Sequence, residues 1–168
     1  GIENEDDLDF YIREFLGFDI PKDKVCAGHV SPFKFICDVF FERTRFAFAY
    51  GSRGSGKTLH FAILNHCNAL FRQISVKLVV AASTLDQANN GYGYFKHFLE
   101  ADPLLWDKLA GEPIKSSTKF KNGSSLQIVA GTTKGLNGLH PTKVSIDEIE
   151  LLELPILEQG LSMSMSSQ

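Results

Sequence analysis

The sequence has 168 residues, of which 43% are hydrophobic and 22% charged, a length and composition typical of one globular domain with a sizeable core. The net charge of −3 excludes a protein whose overall field attracts nucleic acid, although a local basic patch is enough for DNA binding. No apolar run approaches the length of a membrane span and no signal peptide opens the chain, so we expect a cytoplasmic protein without a membrane partner.

Residues 1–30 are predicted to form an N-terminal helix and a lead-in to the main fold. Apolar residues such as Leu8 and Ile12 recur at helical spacing across residues 2–18. Ser31, which is followed by a proline, has the features of an N-cap and begins a second predicted helix. The aromatic residues of that helix are typical of core packing, and an adenine-binding role around Phe33 is the alternative interpretation.

The three cysteines do not form a C-x-x-C motif, and the pattern favours buried, reduced thiols in a cytosolic protein. Cys26, His29 and Cys37 together suggest a metal site as the alternative, but a fourth ligand at suitable spacing is missing.

The central feature of the sequence is a glycine-rich loop between a predicted strand and a predicted helix. Residues 45–50 are predicted to form a buried strand, and the helix is expected to run to about Phe71. The loop fits the phosphate-binding pattern G-x-x-x-x-G-K-[ST] at every fixed position. Its residues, all candidates for nucleotide binding, are Gly51, Ser52, Arg53, Gly54, Ser55, Gly56, Lys57 and Thr58.

The pattern has a physical basis. Glycines allow backbone conformations that a Cβ forbids, so that the loop amides and the helix N-terminus face a bound phosphate. Lys57 is expected to reach the β- and γ-phosphates of ATP, and the Thr58 hydroxyl to bind Mg²⁺. Arg53 is interpreted as a catalytic residue that stabilises charge in the transition state, with a solvent-facing filler as the alternative.

Further strands and helices are predicted after the loop, and Asn122-Gly123 indicates a type I′ turn in a hairpin. They are a strand at 76–82, a helix that begins after Ser83-Thr84 and reaches residue 98 or 99, a helical turn at 103–106, the hairpin at 118–129, a strand at 142–146 and a helical tail from 149.

Asp147 and Glu148 follow the last predicted strand directly. In open parallel sheets, ligands bind beyond the carboxyl ends of the strands, so this pair is expected to meet the glycine-rich loop at one edge. Asp147 is the predicted second Mg²⁺ residue, and Glu148 is the predicted general base that polarises water for attack on the γ-phosphate. A solvated strand end is the alternative reading of the pair.

In these motifs the sequence resembles the large terminase subunit, the DNA-packaging motor of tailed bacteriophages. The similarity extends over residues 30–158 and combines features that are less specific when taken singly. They are the loop Gly-Ser-Arg-Gly-Ser-Gly-Lys-Thr, Ala81-Ala82-Ser83-Thr84 followed by Gln87-Ala88, the Asn122-Gly123-Ser124 hairpin, and the connection from Gly135 to Pro141 that leads into Ile146-Asp147-Glu148.

The resemblance implies an α/β P-loop NTPase of the additional-strand, catalytic-glutamate type: a mainly parallel sheet flanked by helices, with a β-hairpin insertion. Residues 1–168 would be its ATPase domain. The implied function is ATP hydrolysis that powers translocation of double-stranded viral DNA into a procapsid. The implied partners are DNA, the portal protein, the small terminase subunit and further copies in a ring, in the host cytoplasm and transiently docked on the procapsid.

Two elements of that family do not occur in the sequence: the coupling strand that follows the catalytic glutamate, and the nuclease domain. We therefore expect these residues to be a fragment, or the ordered part, of a longer chain, with an incomplete fold and weak or no activity alone. Two alternatives stay open, a helicase-like nucleic-acid ATPase and a nucleotide-binding module without turnover. The candidate DNA contacts are the basic side chains of Lys115, Lys119, Lys121 and Lys134.

Overall fold

A four-stranded mixed sheet, flanked by helices, forms the centre of the protein in the computed structural model. The structure describes residues 1–52, 54–72, 74–101, 103–112, 117–132, 136 and 139–165. The strands occur in the spatial order β2-β3-β1-β4. Their bounds are β1 Lys77–Ala82, β2 Ser117–Lys119, β3 Ser125–Ala130 and β4 Lys143–Ile146.

β1 lies inside the sheet and pairs in parallel with β3 on one side and β4 on the other. Leu78 lies opposite Leu126, and Val79 lies opposite Val144. A strand covered on both faces has an almost continuous apolar sequence, which is the pattern that predicted this strand. The expectation of a mainly parallel α/β sheet is confirmed.

The predicted hairpin is also confirmed, but its turn type is wrong. β2 and β3 are antiparallel, and Gly123 N–H donates to the carbonyl of Phe120 at 3.0 Å. Gly123 has φ +86°, while Asn122 is not left-handed, so the loop is a type I turn followed by a glycine bulge. Asn122 is held instead by its side chain, whose Nδ2 donates to the Ala69 carbonyl at 2.9 Å.

Helices flank the sheet, and the first three precede β1 in the chain. They are α1 Glu5–Glu14, α2 Pro32–Phe40, α3 Lys57–Phe71, α4 Leu85–Ala101, the short α5 Pro103–Trp106 and α6 Leu154–Met165, with a 3₁₀ turn at Ile149–Leu151. The N-cap at Ser31 is confirmed, because its hydroxyl accepts a hydrogen bond from Lys34 N–H.

The first helix is shorter than predicted. A capping box between Asn4 and Asp7 fixes its start. Gly17, in a left-handed conformation at φ +76°, follows its end and does not continue the helix.

The strand predicted at residues 45–50 does not form. No described residue of this segment is in a strand, and the side chains of Phe46, Phe48 and Tyr50 are 52%, 68% and 93% exposed. A strand needs a neighbour to satisfy its backbone N–H and C=O groups. β4 is the edge of the sheet on this side among the described strands, so the apolar alternation of the segment has no partner.

Buried apolar side chains form three clusters among the described residues. One packs α1, α2 and α3 together and includes Phe33, which is 7% exposed, as the core-packing interpretation predicts. The second lies between α4 and the sheet, and the third includes Val79 of β1 and Ile156 of α6. Cys37 and Cys67 are buried free thiols as predicted, whereas Cys26 is exposed, in contrast to the prediction. Within the described part of the chain, no helix is long and apolar enough to cross a membrane.

Candidate functional site

Two glycines of the loop adopt the left-handed backbone conformation that favours glycine. Gly54 and Gly56 are left-handed, at φ +81° and +78°, and Ser55 N–H donates to the Ser52 carbonyl at 3.2 Å. Gly51 is constrained differently, because a Cβ there would lie 2.6 Å from Ser55 Oγ. Residues with a Cβ would therefore be unfavourable at these three positions of the loop. Arg53 lies outside the described residues.

The loop ends at the N-terminus of α3, with Gly56 as the N-cap and no side-chain cap. The first turn of this 15-residue helix contains no acidic residue. Its free amides and the helix dipole therefore present a positive end at the loop. This arrangement suits an anion such as a phosphate group.

Lys57 folds back over the loop. Its ammonium donates to the carbonyls of Gly51 at 2.7 Å and Ser52 at 3.1 Å. These contacts keep the cation close to the backbone of the loop.

Thr58 and Asp147 are brought together across 89 residues of sequence. The Thr58 hydroxyl donates to Asp147 Oδ2 at 2.8 Å. Thr58 is in the first turn of α3, and Asp147 follows β4, whose parallel pairing with β1 places its carboxyl end at the loop. A hydroxyl and a carboxylate in contact are two hard oxygen ligands of the kind that Mg²⁺ prefers.

Glu148 has an unusual backbone and side-chain environment. Its φ of +52° and ψ of +48° are left-handed, a region that non-glycine residues rarely adopt and that costs free energy. Its N–H donates to Asp147 Oδ1 at 3.0 Å. One of its carboxylate oxygens, Oε2, is buried and has no hydrogen-bond partner among the described residues. A buried acceptor without a partner is available to a bound molecule.

The side chain of His60 packs against the loop at Gly56. A Cβ built on Gly56 would lie 3.5 Å from His60 Cε1, so the imidazole packs against the left-handed N-cap. Burial lowers the pKa of His60, because desolvation disfavours its charged form. The side chain is therefore suited to a neutral packing role beside the loop.

Two further polar residues join the same elements and were missed by the sequence analysis. Ser145 Oγ donates to Asn65 Oδ1 at 3.0 Å. Asn65 is in α3, seven residues after Thr58, and Ser145 is in β4, two residues before Asp147. A partial signal for them exists in the sequence, since each lies at the spacing that places it on the same face of its element as the predicted metal residue.

An open cleft lies beside Thr58. It has a volume of about 610 Å³ and is lined by Asn90, Gly93, Tyr94 and His97 of α4. α4 approaches Thr58 closely at Gly91, where an added Cβ would lie 3.6 Å from Thr58 Cγ2. Despite its glycines the helix is not interrupted.

The predicted basic contacts to DNA are only partly described. Lys119 and Lys121, on the hairpin, are exposed. Lys115 and Lys134 lie outside the described residues, as do residues 135, 137 and 138 of the connection from Gly135 to Pro141. Leu136 in that connection is 1% exposed and belongs to the core with Val79.

Comparison with known proteins gives a likeness in structure. No protein-family model and no curated protein matches the sequence. The fold is similar to that of the large terminase from the thermophilic bacteriophage D6E, with a TM-score of 0.54 and 14% sequence identity. The match covers 68% of this chain and 29% of that chain. At this identity the likeness establishes a shared α/β fold of a sheet flanked by helices, and the chain spans less than a third of the terminase.

Proposed function

We propose that the chain binds ATP with Mg²⁺ at the Gly51–Thr58 loop and hydrolyses it, as the ATPase domain of a viral DNA-packaging motor. The observation that carries the proposal is the 2.8 Å hydrogen bond between Thr58 and Asp147. Two motifs that lie 89 residues apart in sequence, and that are both predicted to bind the same ion, meet in space. A solvated strand end does not account for that meeting.

The phosphates of the nucleotide would bind at the loop. The left-handed glycines at 54 and 56 expose loop amides, and the uncapped start of α3 adds its dipole. Lys57 already lies over the loop carbonyls, so a phosphate oxygen would compete with these carbonyls for its ammonium. A charge-assisted bond to phosphate is stronger than a bond to a neutral carbonyl, and the exchange is therefore favourable.

The metal would be held by Thr58 and Asp147. When bound, Mg²⁺ neutralises negative charge on the phosphates and orients them. The two oxygen ligands fit this ion, since Mg²⁺ is typically bound by few protein ligands together with substrate oxygens and water.

Glu148 is the proposed general base. Its buried Oε2 has an open acceptor position, which suits it to orient a water molecule and take its proton during attack on the γ-phosphate. The left-handed backbone at this residue is consistent with that role, because strain of this kind persists where the surroundings fix a functional side chain.

The motor function rests on the terminase-like fold together with this site. A P-loop ATPase of the additional-strand, catalytic-glutamate type, active on double-stranded DNA, is the specific form that we propose. Its partners would be DNA, a portal protein, a small terminase subunit and further copies in a ring, on a procapsid in the host cytoplasm. Arg53 is proposed to stabilise transition-state charge.

Steady-state ATPase measurements test this assignment. Glu148→Gln should lower kcat at least about a hundredfold while ATP binding persists, because a general base contributes roughly 10²–10⁴ to the rate. Lys57→Ala should weaken ATP binding itself. The matched controls are Glu150→Gln and Lys96→Ala, which change exposed residues outside the site and should leave both quantities unchanged. Hydrolysis that neither site variant reduces would overturn the assignment.

A second candidate, nucleotide binding without turnover, is favoured by one observation. Residues 45–50 do not pair with the sheet, so the N-terminal side of the loop is not anchored there. In that case ATP binds and Lys57→Ala weakens binding, but no hydrolysis is detected from the wild type.

DNA dependence separates the motor from a helicase-like ATPase. A packaging motor is expected to be stimulated by double-stranded DNA, and a helicase-like enzyme by single strands. DNA affinity should fall as salt rises, and replacing the exposed Lys119 and Lys121 by alanine should reduce that salt dependence. Affinity independent of salt would contradict a phosphate-contacting surface.

A further inference from the structure

We propose that Asn65 and Ser145 are a positioning pair that sets the distance between the two Mg²⁺-binding residues of the candidate site. The Ser145 hydroxyl donates to Asn65 Oδ1 at 3.0 Å, and the Asn65 side chain is 5% exposed. This inference rests on the proposed function and adds to it two residues that have no direct contact with the nucleotide.

The pair repeats the geometry of the metal residues. Thr58 and Asn65 are seven residues apart, which is about two turns of α3 and places them on one face of the helix. Ser145 and Asp147 are two residues apart and lie on one face of the chain at the end of β4. Two hydrogen bonds, Thr58–Asp147 and Asn65–Ser145, therefore connect the same helix to the same strand, at 2.8 and 3.0 Å.

Other contacts between α3 and β4 are weak. α3 packs chiefly on α4, and β4 pairs with β1. A small cavity of about 20 Å³ lies between α3, α4 and the sheet, and all four residues of the two hydrogen bonds line it together with apolar side chains such as Phe61 and Val80. The two hydrogen bonds are direct polar contacts that join α3 to β4 and to the residue after it, and directional bonds of this kind fix the register of two elements.

Burial of this polar pair costs hydration free energy, and a contribution to stability alone would not require polar side chains here. A buried asparagine and a partly buried serine lose hydration, and an apolar pair of similar size is often as stable or more stable. A directional bond instead fixes one relative position of helix and strand. Because α3 carries Thr58 and β4 leads to Asp147, this position determines whether both oxygens reach one ion.

The test is the effect of Mg²⁺ on ADP binding by the full chain, measured by isothermal titration calorimetry with and without the ion. In the wild type, Mg²⁺ should tighten ADP binding. In Asn65→Ala and Ser145→Ala this tightening should shrink about threefold to tenfold, the range expected for loss of one partly buried hydrogen bond. ADP affinity without Mg²⁺ should change by less than about twofold, because the loop amides and Lys57 are untouched.

Three further variants distinguish positioning from stability. Ser145→Thr keeps the hydroxyl and should restore the wild-type response to Mg²⁺. The double variant should behave like either single variant, since both remove the same bond. Asn68→Ala is the matched control: Asn68 is a buried asparagine of the same helix, but its Nδ2 donates to Leu64 of its own helix at 2.9 Å. It should lower the melting temperature and leave the Mg²⁺ response unchanged.

The outcomes distinguish the positioning role of the pair from the proposed nucleotide-binding function. If Asn65→Ala and Ser145→Ala lower the melting temperature with an unchanged Mg²⁺ response, the pair is structural and the inference is wrong, while the proposed function stands. Ser145→Ala removes only a hydroxyl, so it tests the pair even if the asparagine variant does not fold. A wild type that binds no ADP overturns the proposed function, and this inference with it.

Discussion

Acidification should destabilise the protein through one buried histidine, His66. This residue of α3 has a fully buried side chain. Its ring makes T-shaped contacts with the rings of Phe95 and Phe98, at centroid distances of 5.7 and 5.4 Å. Tyr11 Oη lies 2.7 Å from its Nε2, and no described carboxylate is its partner. Burial lowers the pKa of His66 to about 3, from an ordinary value of 6.5. The folded state therefore keeps this imidazole neutral.

The sign and size of the effect follow from proton linkage. The unfolded chain binds a proton at His66 below pH 6.5, whereas the folded chain does not bind it until about pH 3. The stability contributed by the neutral side chain is thus complete above pH 6.5 and is lost progressively as the pH falls toward 3. Between about pH 7 and about pH 5 the loss from this group is about 2 kcal/mol.

Urea unfolding at a series of pH values measures this loss. His66→Gln keeps a hydrogen-bonding group near Tyr11 but does not titrate, so its stability should fall about 2 kcal/mol less than that of the wild type over the same interval. Tyr11→Phe is the matched control, because it lowers stability while the titrating group remains and should keep the wild-type pH dependence. Equal pH dependence in the wild type and His66→Gln would refute the reasoning.

Three other substitutions have distinct expected results. Gly56→Ala should destabilise the protein by about 1–2 kcal/mol in thermal unfolding and weaken nucleotide binding, because φ +78° is unfavourable for a residue with a Cβ. Glu148→Gly should raise the melting temperature by relieving about 1 kcal/mol of left-handed strain while abolishing hydrolysis; a lower melting temperature would contradict that account. Asn122→Ala should cost about 1–2 kcal/mol in urea unfolding, since it removes side-chain bonds to Ala69 and Ser124.

The juxtaposition of the loop with Asp147 was predictable because each motif has its own local signal. The glycines at 54 and 56 indicate left-handed backbone, and the polar pair after an apolar strand indicates the carboxyl edge of a sheet. Their meeting is inferred from the rule that ligands bind at the carboxyl edge of an open parallel sheet, which assumes that both motifs lie at one sheet.

The strand predicted at residues 45–50 depends on a partner and was wrong for that reason. Its alternation of aromatic and small residues is the pattern of a strand, but the pattern does not reveal whether a neighbour is present to receive its hydrogen bonds. The turn at Asn122 shows a related limit. Its dipeptide favours a two-residue turn, whereas the side-chain contact of Asn122 with Ala69, distant in sequence, accompanies a different turn.

The hydrogen bond between Asn65 and Ser145 could not be predicted from the sequence, because each residue gives only a weak signal within its own element. A serine lowers the apolar character of β4, and an asparagine in a buried helix is uncommon, but neither feature identifies the other as its partner. Only the packing of α3 beside β4 brings them to 3.0 Å.

The central claim is that Thr58 and Asp147 form one metal site with a nucleotide at the glycine-rich loop. Electron paramagnetic resonance of Mn²⁺, which shares the oxygen preference of Mg²⁺, tests it most directly. The account predicts that the chain binds Mn²⁺ tightly when ADP is present and that Asp147→Asn abolishes this binding. Binding of Mn²⁺ that does not depend on ADP, or that persists in Asp147→Asn, would contradict it.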